Sequence, residues 1–160
     1  MPIGRFYAGV SVLVWCPSTR RYLLLKRSEE KDFGGGAWEC VTGRVDQGEG
    51  FAEAARREVR EELDVEAKVD FLLGVMHFYR GEAAPKNELV GVYFACSVEE
   101  PGPIRLSWEH SEARWATAEE AYGLLPAGHW LVEAIRHAET MRSLLSPDLL
   151  EHFRAWFRPG

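Results

Sequence analysis

The chain has 160 residues, of which 46% are apolar and 28% charged, with a net charge of −6 at neutral pH. That length and balance fit one globular domain with room for a core, and they exclude a disordered chain or a fibre. The acidic balance argues against a general nucleic-acid binder or a protein held on anionic membranes, because such surfaces are basic.

Cys16, Cys40 and Cys96 are odd in number and far apart, so neither a disulfide framework nor a zinc site is expected. No apolar run reaches the length of a membrane span, and the start MPIGRFYAG lacks the apolar stretch of a signal peptide. The expected location is therefore the cytoplasm, with no membrane partner and no nucleic-acid partner.

In chain order, Phe6 to Trp15 alternates, with Val10, Val12 and Val14 on one face, which predicts a strand. Pro17-Ser18-Thr19 is a turn, and Tyr22 to Leu25 reads as a strand covered on both sides. Ser28 to Gly36 is a loop. Its three consecutive glycines are spacing rather than a phosphate cradle, since no Gly-Lys-Ser/Thr follows. Trp38 to Thr42 is a short strand that delivers a turn at Gly43.

An acidic helix follows, with Ala52, Ala55, Val59 and Leu63 as a narrow apolar stripe. Glu58, Glu61 and Glu62 share the opposite side, because positions i, i+3 and i+4 fall within an arc of about 100°. Like charges held so close repel, and a divalent cation turns that repulsion into binding. Hard oxygen ligands of this kind suit Mg2+ or Mn2+. Arg57 stands one turn before Glu61, and Glu49 lies in or just ahead of the first turn, where the helix dipole favours a carboxylate.

Beyond the helix, Val65, Ala67, Val69, Phe71, Leu73 and Val75 recur at period two, predicting one long strand. Glu82 to Asn87 is a turn, Leu89 to Val98 a strand, and Pro101-Gly102-Pro103 a break. Ala113 to Ala116 forms a short strand before Thr117-Ala118-Glu119-Glu120, a capping box that opens a helix through Leu125. Trp130, Leu131, Ala134, Ile135, Ala138 and Met141 give a helical stripe, and Ser146-Pro147 starts a last helix with Leu149, Leu150, Phe153, Trp156 and Phe157. No repeat and no second domain is visible, so residues 1–160 are expected to be a single domain with a helical extension over about 129–157. That apolar tail is either a lid on its own core or a homodimer contact.

Read as Gly43, five residues, Glu49, seven residues and then Arg57-Glu58-Val59-Arg60-Glu61-Glu62-Leu63-Asp64-Val65, the segment 43–65 resembles the signature of the Nudix (MutT-like) hydrolases. Asp64 departs from the pattern, standing where the family has a glycine that ends the helix; Asp tolerates a left-handed backbone better than most residues. Val41-Thr42-Gly43 replaces the frequent Pro-Gly-Gly and is similar to the turn of dihydroneopterin triphosphate pyrophosphohydrolases, which also act on deoxynucleoside triphosphates.

The resemblance implies an α/β fold, the Nudix α/β/α sandwich with a mixed central sheet. It implies a Mg2+- or Mn2+-dependent hydrolase in which water attacks a diphosphate linkage of a small nucleotide or related diphosphate. Glu58, Glu62 and Glu61 would be metal ligands, one of them serving as general base, with a backbone carbonyl from Thr42. Glu49 and Arg57 would orient these carboxylates. Glu109, in SWEHSEARW, is the candidate distant ligand, and Glu112 is the runner-up.

For substrate, Arg44 and Arg27 are candidate phosphate partners, with Arg80 a further one, and Trp38 is a candidate stacker, with Phe33, Phe78, Tyr79 and Tyr93 behind it. Solvated surface and core are the competing roles of these side chains, and His77 and His110 read as structural. Two alternatives stay open: a non-catalytic nucleotide-sensing module on the same fold, and an isoprenyl diphosphate isomerase, which would need a placed cysteine.

Overall fold

The computed structural model describes residues 4–30 and 34–158; Phe33 lies outside them. A seven-stranded mixed sheet runs in the order β3-β2-β1-β6-β5, with β4 also on β1 and β7 also on β2. The strands are β1 (Tyr7–Cys16), β2 (Arg21–Arg27), β3 (Trp38–Glu39), β4 (Val41–Arg44), β5 (Lys68–Tyr79), β6 (Glu88–Ser97) and β7 (His110–Ala116). The helices are α1 (Phe51–Leu63), α2 (Ala118–Leu124), α3 (Trp130–Leu144) and α4 (Pro147–Trp156). The sheet is mixed because β1 and β6 run parallel while β1 with β4, and β5 with β6, run antiparallel.

Alternation along β1 and β2 builds two cores, one on each side of the sheet. Val10, Val12, Val14, Leu23 and Leu25 pack with Ala54, Ala55, Val59 and Leu63 of α1. Leu13, Trp15, Tyr22 and Leu24 pack instead with Ala121 of α2 and with Leu131, Ile135 and Ala138 of α3. The result is the expected α/β/α sandwich. Val59 and Leu63 are fully buried, and burial of such side chains stabilises by about 1.5–3 kcal/mol each, which fixes the rotation of α1 about its axis. Ala54 joins the buried stripe, whereas Ala52 is only partly covered.

Several helix ends are set by local chemistry. The Thr117 side chain accepts from the Glu120 amide while the Glu120 carboxylate accepts from the Thr117 amide, the expected capping box. Ser146 caps α4, with Pro147 in its first turn. Asp64 ends α1 in the left-handed conformation, φ 55° and ψ 37°, and its amide donates to the Arg60 carbonyl.

Three expectations change. The single strand from Trp38 to Thr42 is two, β3 and β4, interrupted at Cys40. Strand β7 starts at His110, earlier than the apolar segment from Ala113, because its backbone pairs along β2 from Tyr22 to Arg27.

The strict period of two in β5 is also broken. Register shifts between Val69 and Phe71 and between Leu72 and Gly74 re-phase the strand, so that Val75 is 76% exposed while Asp70 is fully buried. Asp70 is satisfied there by Ser97, Arg142 and Arg154, which tie α3 and α4 to β5.

The end of the tail packs on the core of its own chain. The Phe157 ring packs edge-on against Phe94 with centroids 5.4 Å apart, and the Arg56 guanidinium donates to the Phe157 carbonyl at 2.6 Å. Trp156, Leu144 and Leu149 remain exposed.

Among the described residues no helix is long and apolar enough to cross a membrane. All three cysteines are free and buried.

Candidate active site

Helix α1 begins after Gly50, whose amide donates to the Glu53 carboxylate. With Val59 and Leu63 held in the core, Glu58 and Glu62 lie against the sheet and Glu61 faces outward. The side chains of Glu58, Glu62 and Glu61 are 13%, 7% and 59% exposed.

Beneath Glu58 lies Gly43 of β4. A Cβ built on Gly43 would sit 1.9 Å from the Glu58 carboxyl carbon, so only a glycine lets the carboxylate rest on the strand. Thr42, one residue earlier, pairs with Ser11 of β1, so Thr42 and Gly43, expected at a turn, both lie inside β4.

Arg57 holds the upper half of the site. Its Nε and Nη2 donate to the two oxygens of Glu49, both at 2.9 Å, and Nη1 donates to Glu58 at 2.7 Å and to Glu61 at 3.2 Å. Nη2 also donates to the Arg44 carbonyl at 2.8 Å, so all five guanidinium hydrogens have an acceptor. Glu49 in turn accepts from the Asp46 amide. A planar fork engaged at every donor fixes three carboxylates relative to the turn after β4.

The electrostatics are those of converging negative charge. Burial pushes the Glu58 carboxyl above its ordinary value, and the Glu61 and Glu109 carboxylates push it the same way, against the Arg57 guanidinium. Glu49 shifts down, held there by Arg57. Glu109 therefore stands close enough to Glu58 to repel it. It is brought there by the segment before β7, where the Ser28 amide donates to the Glu109 carbonyl and the Ser107 amide to the Glu62 carbonyl.

Among the described residues no three His, Cys, Asp or Glu side chains stand together as a group that could hold a metal ion. The donor set nevertheless fits a hard divalent cation. Glu58, Glu61, Glu62 and Glu109 supply only oxygens, and the excess charge between them is what a cation would neutralise.

The other sequence candidates fall outside this cluster. Arg27 donates to both oxygens of Glu39, at 2.9 and 3.1 Å, and so serves the sheet. Trp38 lies under the Arg114 guanidinium, and Glu112 binds Arg114 at 2.8 Å. Arg44 is exposed and stacks over Tyr7 at 4.7 Å, beside an open cavity of about 370 Å³ that Phe6 and Glu49 also line. Tyr93 stacks on Trp130, and His77 pairs with Glu88 at the surface.

Glu39 was not among the sequence candidates, and His110, read there as structural, is buried beside it. His110 lies buried between Glu39, at 3.0 Å from Nε2, and Glu62, at 3.6 Å from Nδ1. The only local signal was a lone acid, Glu39, in an otherwise apolar strand.

The site thus sits on a mixed-sheet α/β sandwich, with an acidic helix resting on Gly43 of β4. The NUDIX domain profile matches residues 5–138, and the chain belongs to the Nudix hydrolase family. It is 36% identical over 108 residues to the asymmetrical bis(5'-nucleosyl)-tetraphosphatase of Mus musculus, covering 65% of this chain and 69% of that protein. It is 36% identical over 64 residues to the dihydroneopterin triphosphate diphosphatase of Escherichia coli K12, covering 40% of each. A protein named octanoyltransferase in Myxococcus xanthus is 35% identical over 106 residues, 66% of this chain but only 29% of that protein. The chain thus spans well under half the length of these last two relatives.

In solved structures the fold recurs in the MutT protein of Methanosarcina mazei, with TM-score 0.70 and 23% identity over 89% of this chain and 99% of that one. It recurs too in the Caenorhabditis elegans Ap4A hydrolase, with TM-score 0.69 and 20% identity over 87% and 99%.

Proposed function

We propose that this protein is a Mg2+- or Mn2+-dependent pyrophosphohydrolase that cleaves a diphosphate linkage in a nucleoside triphosphate or a nucleoside diphosphate derivative by attack of water. The observation that carries the reading is the Glu58 carboxylate resting on Gly43 and joined to Glu61 through Arg57, with Glu58 pushed up by burial and by the Glu61 and Glu109 carboxylates. Glu58, Glu62, Glu61 and Glu109 would hold the cation, with the Thr42 carbonyl below them. When bound, a divalent cation supplies neutralisation of the phosphate charge and acidification of a water.

The chain's own residues do the rest. Arg57 holds Glu58 and Glu61 at fixed separation, so the carboxylates need no reorganisation when substrate arrives. A carboxylate of the α1 set accepts the proton of the attacking water. Arg44, exposed and stacked over Tyr7 beside the cavity that Glu49 also lines, remains the candidate phosphate partner.

The relatives named for dihydroneopterin triphosphate and bis(5'-nucleosyl) tetraphosphate support a nucleotide or pterin triphosphate as substrate class. Cys40 and Cys96 are sealed in the core, where burial pushes both thiols up, which speaks against isomerase chemistry.

A hydrolysis screen over nucleotides, nucleotide sugars, dinucleoside polyphosphates and dihydroneopterin triphosphate, with Mg2+ or Mn2+, tests the proposal. Phosphate or pyrophosphate release that stops with chelator supports it. Binding of ADP-ribose with no hydrolysis of any member would favour the sensing module instead.

A further inference from the structure

On the sheet side of α1, a buried polar chain runs from β2 to the acidic helix. Arg27 donates twice to Glu39, Glu39 Oε1 lies 3.0 Å from His110 Nε2, and His110 Nδ1 lies 3.6 Å from Glu62 Oε2. The imidazole side chain is only 2% exposed, and Nδ1, fully buried, makes no hydrogen bond among the described residues. A buried ring nitrogen left without a bond costs about 1–3 kcal/mol, so an arrangement that aims it at a carboxylate calls for an explanation.

The surrounding backbone shows that the placement is built. His110 opens β7 opposite Arg27, and the segment before it is tied to the end of α1. The Ser107 amide donates to the Glu62 carbonyl at 3.2 Å and the Arg105 amide to the Leu63 carbonyl at 3.4 Å. The same segment presents Glu109, one residue before His110, to Glu58. The two ends of the ring are therefore fixed independently, Nε2 by the clamped Glu39 and Nδ1 by the docking of the segment before β7 on the end of α1. A carboxylate that binds a cation through one oxygen needs its other oxygen held, or it swings between binding modes.

We propose that His110 is a positioning residue for Glu62: anchored through Nε2 on the Arg27–Glu39 pair, it faces Glu62 Oε2 through Nδ1 and so orients this carboxylate for the cation. This role rests on the metal-dependent reading above. It makes Glu39 and Arg27 supports of the metal site rather than substrate partners.

The test is Mn2+ binding to metal-free protein, read as free Mn2+ by electron paramagnetic resonance, with thermal melting beside it. His110→Gln places an amide nitrogen near Nε2 and keeps the Glu39 bond, but removes the group facing Glu62. His110→Asn does the opposite. The expected result for His110→Gln is a melt near wild type with Mn2+ affinity reduced about 10-fold or more, the scale of an outer-shell partner. For His110→Asn the melt falls, while affinity stays within about 3-fold of wild type. Wild-type affinity in His110→Gln, or equal losses in both variants, overturns the proposal.

If His110→Gln does not fold, His110→Ala carries the test beside His110→Asn: Mn2+ affinity about 10-fold or more weaker in the alanine variant than in the asparagine variant supports the proposal, and equal affinities refute it. Wild-type protein that binds no Mn2+ defeats the hydrolase reading itself, a result distinct from wild-type binding that the variants leave intact.

Discussion

Gly43→Ala separates the fold from the site more sharply than any carboxylate substitution. The added Cβ would lie 1.9 Å from the Glu58 carboxyl carbon and 2.1 and 2.3 Å from its oxygens. Carbon contacts settle at about 3.5–4.0 Å, so the carboxylate must retreat by about 1.5 Å. The group that moves is the end of a flexible side chain, so the structural cost is that of an off-rotamer Glu, about 0.5–1.5 kcal/mol. At about 2–4 °C per kcal/mol for a domain of this size, the melt should fall by no more than about 6 °C. The functional cost is larger, because a misplacement of about 1 Å at reacting groups removes about 100-fold in rate.

Purified Gly43→Ala should therefore be folded, turn over the best substrate of the screen about 100-fold more slowly, and bind Mn2+ more weakly. Turnover within about 3-fold of wild type in a folded protein would refute the contact's role.

Three further outcomes follow. Because burial and acidic neighbours raise Glu58 in the folded state, the folded protein binds the extra proton. Stability then falls as pH rises from the unfolded carboxylate value through the raised one, and the cost is fully present at neutral pH. Glu58→Gln without metal should melt above wild type at pH 7.5 and lose that advantage in acid, and Mn2+ should raise the melt of wild type only; equal gains in both would count against Glu58 as a ligand. Asp70→Asn leaves the Arg142 and Arg154 guanidinium groups facing a neutral partner and should cost about 3 kcal/mol or more, with activity per folded molecule retained; a loss below about 1 kcal/mol would show the cluster to be dispensable. Asp64→Gly removes the side-chain penalty at φ 55° and should raise stability by up to about 1 kcal/mol in chemical denaturation, whereas a drop would mean the carboxylate of Asp64 matters.

What could be read without coordinates is whatever depends on neighbours within about one helical turn. The pairing of Arg57 with Glu61, the Thr117 capping box and the left-handed end at Asp64 are all set by local spacing and backbone preference. The continuous apolar run of β2 from Tyr22 to Leu25 likewise announced a strand covered on both faces. In β5 the same logic failed. Two register shifts against β6 re-phase its residues, and a bulge is a property of the pairing rather than of either strand alone.

The site divides in the same way. The sequence by itself determined the acidic helix and its fixed rotation, because Val59 and Leu63 must go to the core and the glutamates must then go elsewhere. Only the tertiary structure decided what meets those glutamates. Gly43 comes under Glu58 through the pairing of β4 with β1, and Glu109 comes opposite it through the docking of the segment before β7. His110 and Glu39 are 71 positions apart, joined only because β3 and β7 flank β2. Contacts of that range depend on how strands are ordered in the sheet, which no window of sequence around either residue contains.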